Sequence, residues 1–300
     1  MSILVVGSVA YDTVETPFGR AEKVLGGSGT FSSVAASFFS PVNLVAVVGD
    51  DFGEAQLAAF RGRPIDLAGL ERAAGKTFHW EGKYSQDLNE RDTIRTDLNV
   101  FESFSPKIPE AYRASEFVFL GNIHPALQRE VLDQVRQPRL VACDTMNFWI
   151  TGALDDLKRT LERVNVLLIN DSEARELSGE WNLVKAARAI RAMGPGILVV
   201  KKGEHGVIMF TDEGAFAAPA FPLEQVFDPT GAGDTFAGGF LGHLAGQGSM
   251  DDAGLRRAIV MGSTLASFAV EAFSLDRLLR LTRSEIDERF ASFGRLTRFA

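Results

Sequence analysis

The sequence predicts an α/β fold: a doubly wound, mostly parallel sheet flanked by helices, with a small antiparallel β lid beside it. Three observations predict it. Short apolar runs recur along the chain, amphipathic stretches separate them, and two segments, residues 10–25 and 77–104, instead alternate apolar with polar residues. Runs that are apolar throughout read as strands buried on both faces, as parallel strands between two helix layers are. Alternation rich in Thr, Phe, Trp and Tyr reads as half-exposed antiparallel strands.

The strands follow in order as "ILVVG" (3–7), "NLVAVVG" (43–49), "EFVFLG" (116–121), "RLVACD" (139–144), "VLLIN" (166–170) and "ILVVKKG" (197–203). Between them, residues 27–40, 53–62, 125–136, 151–163 and 182–193 place apolar residues at helical spacing, so strand and helix alternate as in a doubly wound sheet. In such sheets ligands sit beyond the carboxyl ends of the strands. The polar clusters "GSVAYD", "GNIHP", "DTMN", "NDSE" and "KKGEHG" all fall there. From about Asp228 the chain reads as mainly helical, with small residues through 251–270 and an amphipathic stretch at 282–293. No internal repeat or linker divides it, and residues 1–300 are expected to form a single domain with lid segments at about 10–25 and 77–104.

A chain of 300 residues, 46% hydrophobic, has enough apolar surface to bury a large core. Its net charge of −8 and lack of Lys/Arg runs argue against a general nucleic-acid binder. A single cysteine, Cys143, excludes an intrachain disulfide framework and suits a reducing, cytoplasmic location. The N-terminal "ILVVGSVA" is too short and lacks the basic flank of a signal peptide, and no run of eighteen apolar residues exists, so no membrane association is expected. "GLERAAGKT" (69–77) imitates a P-loop, but five residues separate Gly69 from Gly75 where that motif needs four. His79, His124, His205 and His243 share no metal-ligand spacing.

The chemistry concentrates in "VFDPTGAGDTFAGGF", Val226 to Phe240. Glycines there let the backbone expose consecutive N–H groups, and the helix that follows adds the positive end of its dipole, which makes an anion cradle. Asp234 at its lip would repel a phosphate unless it takes the proton of a hydroxyl attacking that phosphate. The plainer alternative is that Asp234 caps the helix.

D-P-T-G-A-G-D-T-F-x-G-G-F closely resembles the C-terminal signature of the ribokinase-like (PfkB) carbohydrate kinases. "VLGGSGTFSSVAAS" resembles their early Gly-Gly pair, at Gly26 and Gly27. "GSVAYD" resembles their start, in which an aspartate, here Asp12, binds sugar hydroxyls, and "NDSE" their Asn-x-x-Glu motif at Asn170 and Glu173. These landmarks run from residue 7 to beyond 240, so the resemblance covers nearly the whole chain.

The resemblance implies an ATP-dependent kinase with Asp234 as general base and the Gly231, Ala232 and Gly233 amides as the anion hole. Asn170 and Glu173 would order Mg2+ through water, and Asp228 and Thr230 correspond to a monovalent-cation (K+) site in many relatives. The turn holding Lys201, Gly203 and Gly206 lies against nucleotide in the family, the plainer reading being a solvated Lys201–Lys202 pair. Ser263 and Ala266 would flank adenine, or simply allow close helix packing. Asn122, like Asp144 and Asn147, lies at a strand end where it would meet substrate or stabilise a turn. One departure is Phe31, where relatives commonly carry an asparagine that contacts substrate hydroxyls. Its ring is expected to pack against a sugar, inositol or nucleobase face, and the plant myo-inositol kinases show a similar "GGSGTF" arrangement. The resemblance thus implies a sugar or cyclitol acceptor such as myo-inositol. A nucleoside (adenosine-like) kinase is the alternative, followed by a non-catalytic nucleotide-binding or interaction protein. The alternating lid strands are each expected to present one apolar face, covered by closure over bound substrate or by a partner lid. The resemblance implies a homodimer through the lid, as in many ribokinase-like enzymes, or a monomer, as in some adenosine-kinase-like members.

Overall fold

The computed structural model describes residues 1–89 and 91–298, so position 90 of the second lid segment and residues 299–300 lie outside the described residues. Nine strands form the main sheet in the order β13-β12-β11-β10-β9-β8-β1-β4-β5. They are β1 (Ile3–Val6), β4 (Val42–Val48), β5 (Ile65–Arg72), β8 (Phe117–Leu120), β9 (Leu140–Asp144), β10 (Val166–Asn170), β11 (Ile197–Lys201), β12 (Val207–Thr211) and β13 (Gly214–Ala218). From β11 to β5 every pairing is parallel, and β12 and β13 extend the sheet as an antiparallel hairpin. The winding reverses at β1, flanked by β4 on one side and β8 on the other.

Alternate residues of β1 explain why its run is apolar throughout. Ile3 and Val5 enter one core and Leu4 and Val6 the other, all essentially unexposed. Each fully buried aliphatic side chain of this kind contributes roughly 1.5–3 kcal/mol. The first core packs the sheet against α1 (Ser28–Ala36), α8 (Ala232–Gln247) and α9 (Asp252–Ala269). The second packs it against α3 (Pro125–Gln134), α5 (Leu154–Leu161), α6 (Asp171–Ser178) and α7 (Leu183–Arg191). Two short helices, α4 (Asn147–Gly152) and α10 (Asp276–Arg280), and the terminal α11 (Arg283–Thr297) complete the layers. Residues 53–62, expected as a helix, form only the single turn α2 (Glu54–Leu57) before successive turns lead to Pro64 and β5.

A four-stranded sheet, β3-β2-β6-β7, is built from β2 (Ala10–Thr16), β3 (Gly19–Gly26), β6 (Phe78–Tyr84) and β7 (Arg91–Asp97). It consists of two antiparallel hairpin pairings, β2–β3 and β6–β7, joined by a parallel pairing between β2 and β6. One of its faces carries linked charges: Arg20 pairs with Glu15, Glu22 and Glu81, and Lys83 with Glu15. The sequence pattern led us to expect an apolar face in need of cover, and this face is not one.

Candidate active site

The cradle is held from both ends by Asp228, which is 1% exposed. Its carboxylate accepts the Thr230 N–H at 2.8 Å and the Ser274 N–H at 3.3 Å, so the loop that enters α8 is tied to the segment after α9. Gly231 follows at φ 75°, a left-handed conformation, and a Cβ there would run into the Phe31 ring. Glycine is therefore required on two grounds. Ala232 donates to the Pro229 carbonyl at 3.2 Å, so of the three amides expected to meet an anion this one is already engaged in the turn. Gly231 and Gly233 remain, with the first-turn donors that no helix carbonyl can reach.

Phe31 needs a correction. Expected to offer its ring to an acceptor, it is 1% exposed and buttresses Gly231 from within the core.

Asp234 lies in the first turn of α8 and is not its cap: Gly231 occupies that position, without a side-chain cap. Burial, then the nearby Asp144 carboxylate, push Asp234 up to about 7, while Lys201 and Arg91 pull it back. Asp12 is buried on β2 and takes the Gly27 N–H. A Cβ at Gly26 would collide with the Asp12 carboxylate, which explains the glycine. Burial, followed by the charges of Asp228 and Asp234, pushes Asp12 up to about 7. These three carboxylates therefore share one electrostatic field.

The opposite wall is built on the ends of β9, β10 and β11. Lys201 donates to Asp144 Oδ2 at 3.1 Å and is not a solvated lysine. Burial alone would lower its ammonium, but Asp144, Glu173 and Asp234 hold it above its ordinary value. It also lies beneath the cradle, since a Cβ on Gly233 would sit 3.0 Å from its Nζ. Asn170 and Glu173 form a reciprocal cap on α6: Asn170 Oδ1 accepts the Glu173 N–H at 2.8 Å, and Glu173 Oε2 accepts the Asn170 N–H at 2.9 Å. Burial and Asp144 raise Glu173 to about 7.

Gly203 and Gly206 open and close the turn after β11, and Asn89 of the small sheet's β6–β7 turn reaches it, donating to Glu204 Oε1 at 3.3 Å. Ser263 and Ala266 share a half-buried face of α9, with Ser263 bonded to the Ile259 carbonyl at 3.1 Å. Asn122 is occupied at the end of β8: it accepts from Trp149 Nε1 at 2.9 Å and donates to Met146 Sδ at 2.9 Å. Two residues that sequence reasoning missed stand on the small sheet. Tyr84 bonds Thr230 Oγ1 at 3.2 Å, and the charge of Arg91 reaches Asp12, Glu173 and Asp234. Alternation had marked their segment, but alternation does not say which side chain reaches a site 146 residues away in sequence.

Comparison with known proteins covers the same ground. A family model described as pfkB family carbohydrate kinase matches residues 2–279. A cytidine kinase of Thermococcus kodakarensis is 30% identical over 252 residues, covering 80% of this chain and 87% of its own. An inositol 3-kinase of Oryza sativa subsp. japonica is 26% identical over 285 residues, covering 90% of this chain and 70% of its own. The solved nucleoside kinase of Methanocaldococcus jannaschii shares the fold, with a TM-score of 0.77 at 20% identity over 97% of this chain and 98% of that one.

Proposed function

Because the chain belongs to the pfkB family of carbohydrate kinases, and is thereby an ATP-dependent phosphotransferase with an alcohol group as acceptor, we propose that it phosphorylates a small molecule presenting a vicinal diol. Asp12 holds the diol and Asp234 takes the proton of the attacking hydroxyl. The observation that carries this reading is the placement of Asp12, buried against Gly26, and of Asp234, in the first turn of α8 behind the glycine cradle, near enough that the charge of Asp234 raises Asp12. An acceptor clamped by the first carboxylate brings a hydroxyl to the second, beside the α8 N-terminus.

In this reading the acceptor oxygen bonds to the γ-phosphorus as its proton passes to Asp234 and ADP leaves. The Gly231 and Gly233 amides and the α8 dipole meet charge on the phosphoryl oxygens, and Lys201 adds a fixed positive charge below them. Lys201, Gly203 and Gly206 form the phosphate side of the nucleotide subsite, and Ser263 and Ala266 its adenine side.

Among the described residues no three His, Cys, Asp or Glu side chains come together as a metal cage. The donor set instead fits a hydrated ion: Glu173, half-buried near another carboxylate and raised to about 7, and the Asn170 amide would hold Mg2+ through water. That ion would neutralise the phosphates of ATP. Asp228, buried and raised by burial, fits a monovalent cation such as K+ beside Thr230. We also take residues 1–300 as one kinase domain, in which segments 10–25 and 77–104 act as a lid that excludes water.

Within this acceptor class we place a ribonucleoside first, supported by the cytidine kinase relative that covers most of both chains. A free sugar or cyclitol is the second reading. It is supported by the inositol 3-kinase relative and by the burial of Phe31, which removes one platform on which a base would stack.

The test is an ADP-release screen over cytidine, adenosine, ribose, fructose and myo-inositol, with the product position assigned by NMR. Turnover is expected with at least one vicinal diol and is expected to collapse in Asp12→Ala. An Asp12→Ala enzyme with unchanged acceptor KM would remove the proposed clamp.

A further inference from the structure

We infer that His79 is a positioning residue of this kinase: through the Thr13 hydroxyl it holds a strand bulge that aims the Asp12 carboxylate at the acceptor. The inference rests on the reading of Asp12 as the diol clamp and goes beyond the parts that the sequence motifs name.

The small sheet breaks its own ladder beside Asp12. β2 and β3 pair in register from Ala10–Gly26 through Tyr11–Leu25 to Asp12–Val24, and pairing resumes only at Val14–Ala21. Thr13 therefore stands opposite two residues, Glu22 and Lys23, which makes a β-bulge. Lys23 takes a left-handed φ of 49°, uncommon for a residue with a side chain, so the bulge needs something to hold it. Bulges beside active sites re-aim side chains, and the residue next to Thr13 is Asp12. Its carboxylate lies against Gly26, where a Cβ would come within 1.9 Å of Oδ2, and takes the Gly27 N–H. Gly26 closes β3 just beyond the bulge and Gly27 follows it, so the path of the chain out of the bulge sets the seat of the carboxylate.

A polar chain on the opposite face holds the bulge, since successive residues of a strand point to opposite sides. Thr13 Oγ1 accepts the Lys23 N–H at 3.1 Å and lies 2.9 Å from His79 Nε2. Beyond the ring, His79 Nδ1 is 3.7 Å from Asp97 Oδ2, His79 and Asp97 being opposite one another on β6 and β7. Arg95 fixes Asp97 in turn, its Nε 2.8 Å from the same oxygen. The facing carboxylate keeps the imidazole proton on Nδ1, which leaves Nε2 as an acceptor, and the Thr13 hydroxyl donates to it. Asp97, His79, Thr13 and Lys23 thus supply one residue from each of the four strands, β7, β6, β2 and β3. Thr13 is 4% exposed, so a hydroxyl deprived of His79 would find no water in exchange.

The consequence falls on one substrate. Asp12 meets the acceptor, whereas the nucleotide side is built on the ends of β9, β10 and β11, which the bulge does not touch. Loosening the bulge therefore moves the acceptor clamp and leaves ATP where it was.

Steady-state kinetics separate the two, using whichever of cytidine, adenosine, ribose, fructose and myo-inositol turns over fastest. Thr13→Val keeps the shape of the side chain and removes its hydroxyl. It is expected to raise acceptor KM by about tenfold with KM for ATP within about twofold, and His79→Leu is expected to do the same. Because both act through one contact, the double variant is expected to lose no more than the worse single one. Thr13→Ser and His79→Gln keep an oxygen at their own end of the contact and are expected to stay within about threefold of wild type, a rescue that a general loss of stability would not give.

An unchanged acceptor KM in Thr13→Val and His79→Leu would overturn the inference, as would an equal rise in KM for ATP or losses that multiply in the double variant. Should Thr13→Val fail to fold, His79→Leu against His79→Gln decides on the same split. Failure of the clamp reading looks different, because Asp12→Ala itself would then leave acceptor KM unchanged, and failure of the kinase reading would show as no ADP release by the wild-type enzyme with any acceptor.

Discussion

The Lys201 ammonium lies 3.1 Å from Asp144 Oδ2, joining the carboxyl ends of β11 and β9 across β10, which lies between them. This pair sets a positive charge under the cradle and holds it there, because each partner is costly to leave alone in so buried a place. Lys201→Met would leave the Asp144 carboxylate unpaired beside Asp234. We expect kcat/KM for ATP to fall by about 10²-fold. The acid limb of its pH profile is expected to move to higher pH, since Lys201 lowers Asp234 and Asp144 raises it. Initial-rate measurements from pH 5 to 9 check both. Arg in place of lysine would keep the charge but not its compact fit, so that only partial recovery is expected.

Asp234→Asn separates chemistry from stability. As the proposed base, Asp234 acts only when ionised, so activity is expected to rise with pH through about 7. The asparagine variant is expected to bind ATP and lose about 10²–10⁴ in kcat. Stability runs the other way. A carboxylate raised in the fold binds its proton more tightly there than in the unfolded chain, so the stability it contributes is present below the ordinary carboxylate range. That contribution is lost as pH rises towards about 7. Above that, the ionised Asp234 costs the fold free energy, and Asp234→Asn is expected to be more stable than wild type by about 1–3 kcal/mol at pH 8 and equal to it near pH 4. Thermal unfolding of both proteins at the two pH values decides this.

Glu173 performs two tasks with one carboxylate, and the two are separable. Its Oε2 accepts the Asn170 N–H as half of the cap on α6, which a glutamine side chain also does in such boxes. Glu173→Gln is therefore expected to fold normally while losing the charge that the proposed hydrated magnesium answers to. A magnesium titration of the rate is expected to shift its midpoint upward by about tenfold, with thermal stability equal to wild type near pH 4 and above wild type once the pH exceeds about 7. An unchanged midpoint would leave Asn170 and Glu173 as a helix cap and nothing more.

The strands of the main sheet were legible because burial on both faces leaves a continuous apolar run, and β1, β4, β8, β9, β10 and β11 all carry one. β5 was not, since its residues alternate between intermediate and exposed at the sheet edge, and its "GLERAAGKT" end resembled a loop motif instead. The cradle was legible from its glycines and Asp234. What sequence could not show was occupancy: that Ala232 is engaged by Pro229, that Phe31 is sealed under Gly231, and that Asn122 is taken by Met146 and Trp149. Each depends on a contact set by tertiary packing rather than on the residue type. Tyr84 was hidden for the same reason, because its meaning comes from reaching Thr230 across the cleft.

The last expectation concerns the proposed homodimer. The sequence suggested that two lids would bury apolar faces against each other, but the face bearing Glu15, Arg20, Glu81 and Lys83 is satisfied by its own ion pairs. Burying that network would cost desolvation that a partner's charges only partly return. Any contact through the small sheet must then use its edge. β7 is an edge strand, exposed along nearly its whole length, and carries Ile94 at 60% exposure. An edge offers unpaired backbone groups to a second copy, and an exposed isoleucine adds apolar area at that seam. Ile94→Glu is accordingly expected to convert a dimer to a monomer while sparing kcat, whereas Lys83→Glu, on the charged face, is expected to leave the mass unchanged. Light scattering at micromolar protein reads both, and a wild-type chain already monomeric there would show that this lid closes over its own site without a partner.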